Sequence, residues 1–455
     1  MSVIASSPTR QLVEFALHAK GFAPLARKRA VDAITDCFAC MLAGAREPLA
    51  EPLLRVIGTW REPGGAPAVP LVGRAQYAAP ADAALFNGAI AHALDYDDTN
   101  HPAYAHPSAV IVPVLLAMAP LAPATGRELV DAYIVGLEVF GKFGRALNTA
   151  HYKRGWHATA TFGTLAAVAV AGRLLRLDEH AMEMAIGIAA SAAGGLRVNF
   201  GSMVKPLHAG YAARNGVLAA LLAREGLTSS AGALEHKYGY LRLFAGEGAI
   251  DAAPLAALGE QLEILSEYGI ALKPYPACGA THPGIEAAIL LHDDIRGKTI
   301  ESVRAGVCEM AFEPLIYVQP EGALQGKFSL HYCVAAGLLD GKVGLATFTA
   351  DKIADARIRA LIPRIAMEVD ERVRHDSEFA TILQVRTADG QVYERSVPLA
   401  LGKPARWLNA AQLKTKFDDC GRVALPQDRL DTAFATLQSL DGELPVSALS
   451  EIALG

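Results

Sequence analysis

The chain has 455 residues, 52% of them hydrophobic and only 7% aromatic, with a formal net charge of −5. That length allows two or three domains, and the charge, with no basic stripe, gives no argument for a nucleic-acid partner. No run of eighteen apolar residues is free of charges and breakers, and Met1-Ser2-Val3-Ile4 lacks the basic and apolar regions of a signal peptide, so the expectation is a cytoplasmic protein with no membrane span and six reduced cysteines.

Alanine and leucine dominate the apolar residues, which predicts a closely packed helical core. Residues 24 to 43 read as a helix with Gly44 as its C-cap. Cys37 and Cys40 stand i,i+3 inside it. No second Cys/His pair follows at zinc-like spacing, so they read as core residues. Gly64-Gly65 interrupts the pattern before a short strand-like piece, 68 to 72. A helix from Pro80 to Leu94 then leads into His92-Ala-Leu-Asp95-Tyr-Asp97-Asp98-Thr99-Asn100-His101-Pro-Ala-Tyr104-Ala-His106-Pro107-Ser108. Three carboxylates and three histidines between two apolar runs are costly to bury unless they are paired or used. If the helix persists, Asp95 shares a face with Asp98 and Thr99. Pro102 ends it, and Pro107 suits the first turn of the next helix.

Thr125-Gly-Arg-Glu128 is a capping box ahead of an amphipathic helix, 129 to 147. Helices are predicted over 158 to 175, 179 to 193 and 209 to 224. Between the last two lies Gly194-Gly-Leu-Arg197-Val-Asn-Phe-Gly-Ser202-Met-Val-Lys205-Pro-Leu-His208. The texture changes at Glu267, where a Pro- and Gly-rich linker runs through Lys273-Pro-Tyr-Pro-Ala-Cys278-Gly-Ala-Thr-His282. Strand patterns follow at 303 to 310, 365 to 369 and 381 to 397, the last a hairpin turning at Asp389-Gly390. Helices at 282 to 293 and 329 to 340 interleave. The fold class is therefore mainly α, a large all-helical domain (1–266 and 404–455) with a smaller inserted α+β lid domain (270–403). The cleft between two such domains is the default ligand site.

Four polar islands sit at joints between apolar helices: Asp95 to His106, Gly155 to His157, Arg197 to His208, and Lys273 to His282. They combine acids, neutral bases and fixed cations. That mix suits proton transfer beside a carboxylate, with cations holding the anion. Each residue also has a plainer reading. Asp97 and Asp98 read equally as a solvated helix terminus, His106 as a cap, His157 as an N-cap neighbour and Lys205 as a solvated loop residue. His18, His151, His180, His236, His292 and His375 read as surface or packing residues. There is no Rossmann glycine pattern, Walker loop, nucleophile elbow or iron–sulfur cysteine set. The Asp97-Asp98 pair lacks the third carboxylate of a magnesium-binding Asp-Asp-x-x-Asp motif, so metal-independent activity is expected.

The blocks His92-Ala-Leu-Asp-Tyr-Asp-Asp-Thr99, His106-Pro-Ser108, Lys205-Pro-Leu-His-Ala-Gly210, Lys273-Pro-Tyr-Pro-Ala-Cys-Gly-Ala-Thr-His282 and Lys327-Phe-Ser-Leu-His-Tyr332-Cys-Val-Ala together resemble the MmgE/PrpD family. That family contains 2-methylcitrate dehydratase, cis-aconitate decarboxylase and iminodisuccinate epimerase. The resemblance spans nearly the whole chain and implies a helical domain with a late inserted lid, a homodimer, and no cofactor or metal. By motif position it implies pocket roles for Asp95, Thr99, His106, His157 and Lys205. The loop from Thr99 to His106 is one residue longer than in the decarboxylase, which makes His101 a rival for His106. The linker histidine of the decarboxylase falls at Cys278, and His282 holds part of its role. The expected activity is a lyase acting on a small di- or tricarboxylate, first a hydro-lyase of the 2-methylcitrate type. The alternatives are a cis-aconitate-type carboxy-lyase, an epimerase, or a carboxylate binder without catalysis. The expected catalytic residues are Asp95, His106, His157, Lys205 and His282. Thr99, His101, Arg197, Ser202, Lys273, Cys278 and Tyr332 are expected to bind the substrate.

Overall fold

The computed structural model of the chain describes residues 7–61, 67–246, 248, 250–442 and 447–453. The Gly64-Gly65 break and the first four residues lie outside that range. The chain divides into two compact units, 1–272 with 413–455, and 273–412. No helix among the described residues is long and apolar enough to cross a membrane.

The first unit is built on helices α1 (Pro8–His18), α2 (Pro24–Gly44), α3 (Ala50–Val56), α4 (Pro80–Ala91), α5 (Ser108–Met118), α6 (Gly126–Leu147), α7 (Ala150–Lys153), α8 (Ala158–Leu174), α9 (Glu179–Ala192) and α10 (Val204–Arg224). Three two-residue strands, β1 (Thr59–Trp60), β2 (Val69–Pro70) and β3 (Tyr77–Ala78), form a small antiparallel sheet in the order β1-β3-β2. Helix α5 is apolar all round and wholly buried, and α4 and α8 are buried except at Pro80–Asp82 and at Arg173. A helix without a polar face can exist only inside a shell of others. Helix α6 begins with the expected capping box, Thr125 bonding the Glu128 backbone and Glu128 bonding back. Cys37 and Cys40 are buried free thiols, a core role as the sequence suggests.

Two helix boundaries move, and both moves matter. Helix α4 stops at Ala91, with His92 as its C-cap, so the apolar run to Leu94 does not carry the helix to the aspartates. Helix α10 starts at Val204, before the predicted residue 209, and takes in Lys205 and Pro206. A proline in a first turn gives up an N–H that has no partner there anyway.

Helices α4 and α10 cross at glycines. A Cβ on Gly210 would lie 2.2 Å from the Leu85 carbonyl oxygen, and one on Gly88 would lie 2.8 Å from the Gly210 Cα. Only hydrogen fits at either point. The crossing brings the end of α4 and the start of α10 to the same place. Two short helices follow, α11 (Tyr240–Ala245) and α12 (Ala253–Ala256).

The second unit holds a four-stranded sheet in the order β5-β4-β6-β7, from β4 (Ile300–Val307), β5 (Ile365–Val369), β6 (Thr381–Thr387) and β7 (Val392–Val397). Strand β4 pairs parallel with β5 (Val303 with Ile365) and antiparallel with β6 (Val303 with Val385). The β6–β7 hairpin turns at Asp389-Gly390, where Asp389 accepts bonds from the Thr387 hydroxyl and the Gln391 backbone. Helix α13 (His282–His292) packs against β6 and β7, and α15 (Leu330–Asp340) against β5. Short helices α14 (Ala323–Gly326), α16 (Ala350–Ile353) and α17 (Ala356–Leu361) flank them. Residues 404–412 go with this unit, and Arg406 there pairs with Glu286 of α13. Helices α18 (Ala410–Gly421), α19 (Gln427–Gln438) and α20 (Ser447–Ala453) end the chain.

Gly210→Ala should overpack the α4–α10 crossing and cost about 1–3 kcal/mol of stability. Urea unfolding of the variant beside wild type measures it. An unchanged midpoint at equal slope would show that the helices separate freely, contrary to the close approach described.

Candidate active site

The loop from His92 to Ser108 is fastened from several sides. Thr99 and Ala271 exchange backbone hydrogen bonds, as do Asn100 and Ala105. The Asn100 amide donates to the Gly269 carbonyl at 2.5 Å, and its oxygen accepts from Ala103 N. Lys416 of α18 reaches Asp36 of α2 at 2.7 Å and donates to the Tyr96 carbonyl at 2.8 Å, with its ammonium 4.1 Å from the Tyr96 ring centre. Two helices thereby hold the loop from behind.

Asp95 has φ +55, the left-handed region that aspartate tolerates better than most residues. The expected sharing of a helix face with Asp98 and Thr99 therefore does not occur, because the helix has already ended. The loop instead aims each carboxylate separately. Asp98 is fully buried and accepts from the Ser108 backbone N–H and hydroxyl, and Ser108 Oγ lies 2.5 Å from the Tyr133 hydroxyl. Burial pushes the Asp98 acid up to about 8, outweighing the Ser108 bonds, so it is mostly protonated at neutral pH. The reading of Asp97 and Asp98 as a solvated helix end is wrong for both, since both side chains are inaccessible.

Asp97 faces two imidazoles. His92 Nδ1 lies 2.9 Å and 3.1 Å from its two oxygens, and His106 Nδ1 lies 3.3 Å from Oδ2. Burial alone would raise the Asp97 acid, but the two histidines outweigh it and hold it well below the usual carboxylate range. Burial pushes His92 down to about 4 against the pull of Asp97. At neutral pH the pair is therefore an ionised Asp97 accepting a hydrogen bond from a neutral His92. His106 Nε2 lies 3.6 Å from Asp95 Oδ1, and Lys205 Nζ lies 2.8 Å from the same oxygen. The Asp95 and Lys205 side chains are 18% and 19% exposed, whereas His92 and Asp97 are at zero. The cluster thus runs from an inaccessible base to an accessible ion pair.

A second pair lies alongside. His157 Nδ1 and His208 Nδ1 are 2.9 Å apart, so one donates and the other accepts. The His157 ring stacks on His92 with centroids 5.9 Å apart, and the His92 and His106 centroids are 4.4 Å apart. Burial, with the nearby charge of Lys205, holds His157 well below the ordinary imidazole range, and burial lowers His208. The structure therefore gathers Asp95, His106, His157 and Lys205 of the expected catalytic set. It adds His92, Asp97 and His208, to which sequence reasoning gave no role. A histidine at the end of a wholly buried helix was the signal for His92.

The other expected residues of this unit have local partners. Thr99 is tied to Ala271 through its backbone, and His101 packs on the Tyr104 and Tyr268 rings. Arg197 donates to the Tyr152 carbonyl at 2.7 Å and lies over the Tyr152 ring. Ser202 is exposed and caps its own turn, accepting from Val204 N and donating to the Asn199 carbonyl. In the second unit Lys273 is buried. Cys278 is half-buried, and its backbone carbonyl accepts the Thr281 hydroxyl. His282 Nε2 meets the Ala277 carbonyl at 3.1 Å, which shapes the linker. Tyr332 is wholly buried, and its hydroxyl donates to the Thr347 carbonyl. Core packing accounts for it without a substrate.

His92, Asp95, Asp97 and His106 each place one donor atom within 4.8 Å of the others, a spacing a divalent cation would accept. Lys205 already gives Asp95 its positive partner, and two imidazoles already serve Asp97. A second cation among them would meet the Lys205 charge.

A mainly helical chain that gathers carboxylates, imidazoles and an ammonium at one helix crossing has the equipment of an acid–base enzyme. The chain belongs to the MmgE/PrpD family: the MmgE/PrpD N-terminal domain matches residues 10–253 and the C-terminal domain residues 275–440. Its relatives include the cis-aconitate decarboxylase of Mus musculus, 28% identical over 393 residues (83% of this chain, 79% of the relative). That of Aspergillus terreus is 29% identical over 409 residues (82% and 81%), and that of Homo sapiens 26% over 398 (83% and 80%). Decarboxylases are lyases, and the family and these relatives place the chain among lyase enzymes.

The raised acidity constant of Asp98 has a definite sign in stability. The folded state binds a proton that the unfolded state gives up in the ordinary carboxyl range, so this contribution is full at low pH and is lost as pH rises to about 8. Wild type should therefore lose its stability advantage over Asp98→Asn between about pH 4 and pH 8. Thermal melts across that range should converge, and parallel curves would show that Asp98 is ionised in the fold.

Proposed function

We propose that the protein is a lyase of small polycarboxylates, and within that class a carboxy-lyase acting on a cis-aconitate-like unsaturated tricarboxylate. The observation that carries the reading is the partly exposed Lys205–Asp95 ion pair, with His106 3.6 Å from Asp95 and inaccessible Asp97 behind it. Loss of CO2 leaves an electron pair on carbon, which a proton must quench. A fixed ammonium holds a carboxylate of the substrate, and an imidazole moves the proton. Lys205 takes the first role. His106 or His157 takes the second, with Asp95 as its neighbour. Lys205 sits in the first turn of α10, where the helix field also favours an anion. The decarboxylase relatives favour this reading over the hydro-lyase expectation. The hydro-lyase remains the second reading because the family resemblance implies a decarboxylase linker histidine at the position where this chain has Cys278. Neither reading requires a cofactor or metal, since Lys205 and the imidazoles supply the charge.

We also propose a homodimer. Val198, Met203, Tyr211 and Leu218 are exposed apolar residues on and just before α10, and a second copy covers such a face. Light scattering at micromolar concentration should give a dimer mass, and a monomer mass would overturn the proposal.

The activity is tested by NMR in D2O with cis-aconitate, citrate and 2-methylcitrate, before and after EDTA. The expected result is CO2 release from cis-aconitate with deuterium entering the product, undiminished by the chelator. Gain or loss of water without CO2 would replace the carboxy-lyase with the hydro-lyase. Activity lost to EDTA and restored by Mg2+ or Zn2+ would make the mechanism metal-assisted.

Lys205→Ala should cost on the order of 2–4 kcal/mol of transition-state stabilisation, roughly a 30- to 1,000-fold fall in kcat/KM. His157→Ala should lower kcat about 10²- to 10⁴-fold if it moves the proton. Thermal melts run alongside separate loss of function from loss of fold. A folded Lys205→Ala enzyme within about threefold of wild type would remove that residue from the site.

A further inference from the structure

His157 and His208 meet through one nitrogen of each ring, with their Nδ1 atoms 2.9 Å apart. The backbone holds both sides of that contact. His157 stands just before α8, and its N–H donates to the Gly195 carbonyl at 2.9 Å. His208 lies three residues after Lys205 on α10, so the two side chains share a helix face. The His157 ring also stacks on His92 and meets Phe200 edge to face, with centroids 4.9 Å apart in the second contact. Packing of this kind fixes where a ring lies. Only a hydrogen bond decides which of its nitrogens carries the proton.

Two nitrogens facing at that distance need one proton between them. With none, two lone pairs face each other. With two, the hydrogens collide. Burial keeps both rings neutral at neutral pH, so they hold opposite tautomers, one protonated on Nδ1 and the other on Nε2. His157 uses Nδ1 for His208, which leaves Nε2 to exchange a proton with a substrate. A neutral ring that already carries its proton on Nε2 can take no other there, and by giving that proton up it would become an anion. A ring with its lone pair on Nε2 instead cycles between neutral and cationic forms.

We propose that His208 is a positioning residue: its Nδ1 accepts the Nδ1 proton of His157, and this presents Nε2 of His157 as the basic nitrogen of the pair. In the reaction put forward above, His157 Nε2 takes a proton from solvent while the imidazolium keeps its Nδ1–H on His208. The Nε2 proton then passes to the carbon that has lost CO2, and the electron pair left there forms the new C–H bond. That consequence rests on the carboxy-lyase reading and on His157 as the proton carrier. The tautomers do not, and they are measured without substrate.

The test is two-bond proton–nitrogen NMR on protein labelled with ¹⁵N-histidine, at about pH 8.5, above the ordinary imidazole range. Spectra of His157→Gln and His208→Asn each assign one ring, and either assignment alone decides. Wild type should show His157 protonated on Nδ1 and His208 on Nε2. His157 protonated on Nε2, His208 protonated on Nδ1, or the same tautomer at both rings would overturn the proposal. Once a substrate is identified, His208→Leu removes the acceptor and should lower kcat about 10²- to 10⁴-fold with KM within about threefold. His208→Asn puts an acceptor oxygen near the place of the lost Nδ1 and should keep kcat within about tenfold of wild type. A merely structural role would not be rescued in this way, and thermal melts show which variants fold. A folded Asn variant as impaired as the folded Leu variant would overturn the positioning role. If cis-aconitate is not turned over while the tautomers are as stated, the carboxy-lyase reading fails and the pairing stands.

Discussion

The site depends on the close crossing of α4 and α10. Gly88 lies about one turn before His92, the cap of α4, and Gly210 lies in the second turn of α10 beyond Lys205. Because neither glycine carries a Cβ, the two backbones touch. The loop leaving α4 then meets the first turn of α10, and Lys205 reaches Asp95 across 110 residues of sequence. A side chain at either glycine would meet the backbone of the facing helix, and the helix ends that carry the ion pair would shift with it. Stability and site geometry are therefore set by the same contact.

Burial then sorts the charges. An unpaired carboxylate in the interior is too costly to keep, and it is neutralised or matched. Both solutions occur here within a few residues. Asp98 takes the first, staying protonated and tied to Ser108, which in turn meets the Tyr133 hydroxyl. Asp97 takes the second, ionised between two imidazoles. Asp36 is matched by Lys416, whose ammonium also secures the Tyr96 carbonyl. The outcome is a loop whose hidden face is electrically settled and whose accessible face carries Asp95 and Lys205. His106 joins the two faces, with Nε2 3.6 Å from Asp95 and Nδ1 3.3 Å from Asp97.

How much of this was legible in the sequence follows from how local each feature is. The Thr125–Glu128 capping box, the Asp389-Gly390 hairpin and the buried helix α5 depend on neighbours a few positions away, and each formed where the pattern put it. The end of α4 was misread because the apolar run continues to Leu94, while Asp95 adopts φ +55 and no periodicity reports a left-handed residue. Asp97 and Asp98 looked as much like a solvated terminus as like a site. What decides between those readings is burial by α2 and α18, which come from distant parts of the chain, together with the start of α5. Tyr332 stood in a block that resembles the family, yet its hydroxyl is taken by the Thr347 carbonyl. A motif marks which residues are retained together and does not say which of them face a ligand.

His92 shows the same limit from the other side. A histidine at the end of an apolar run is ordinarily a satisfied core residue, and that position is the one hint its sequence neighbourhood carries. Its role comes from Asp97, which turns back onto it after the helix has ended, and from the rings of His106 and His157 on either side. His92 is joined to that carboxylate, and His157 to one further imidazole, His208, through hydrogen bonds that each admit a single proton. Charge added at one ring is felt at the next, so four neighbouring imidazoles cannot all be protonated together in so little water. On the reading proposed here, that is useful. A substrate carboxylate reaching Lys205 competes with Asp95 for its ammonium, and Asp95, released from the lysine, is left facing His106 Nε2. The anion that binds thereby changes what faces that nitrogen. Binding and proton transfer are then coupled through one ion pair, without an added metal charge.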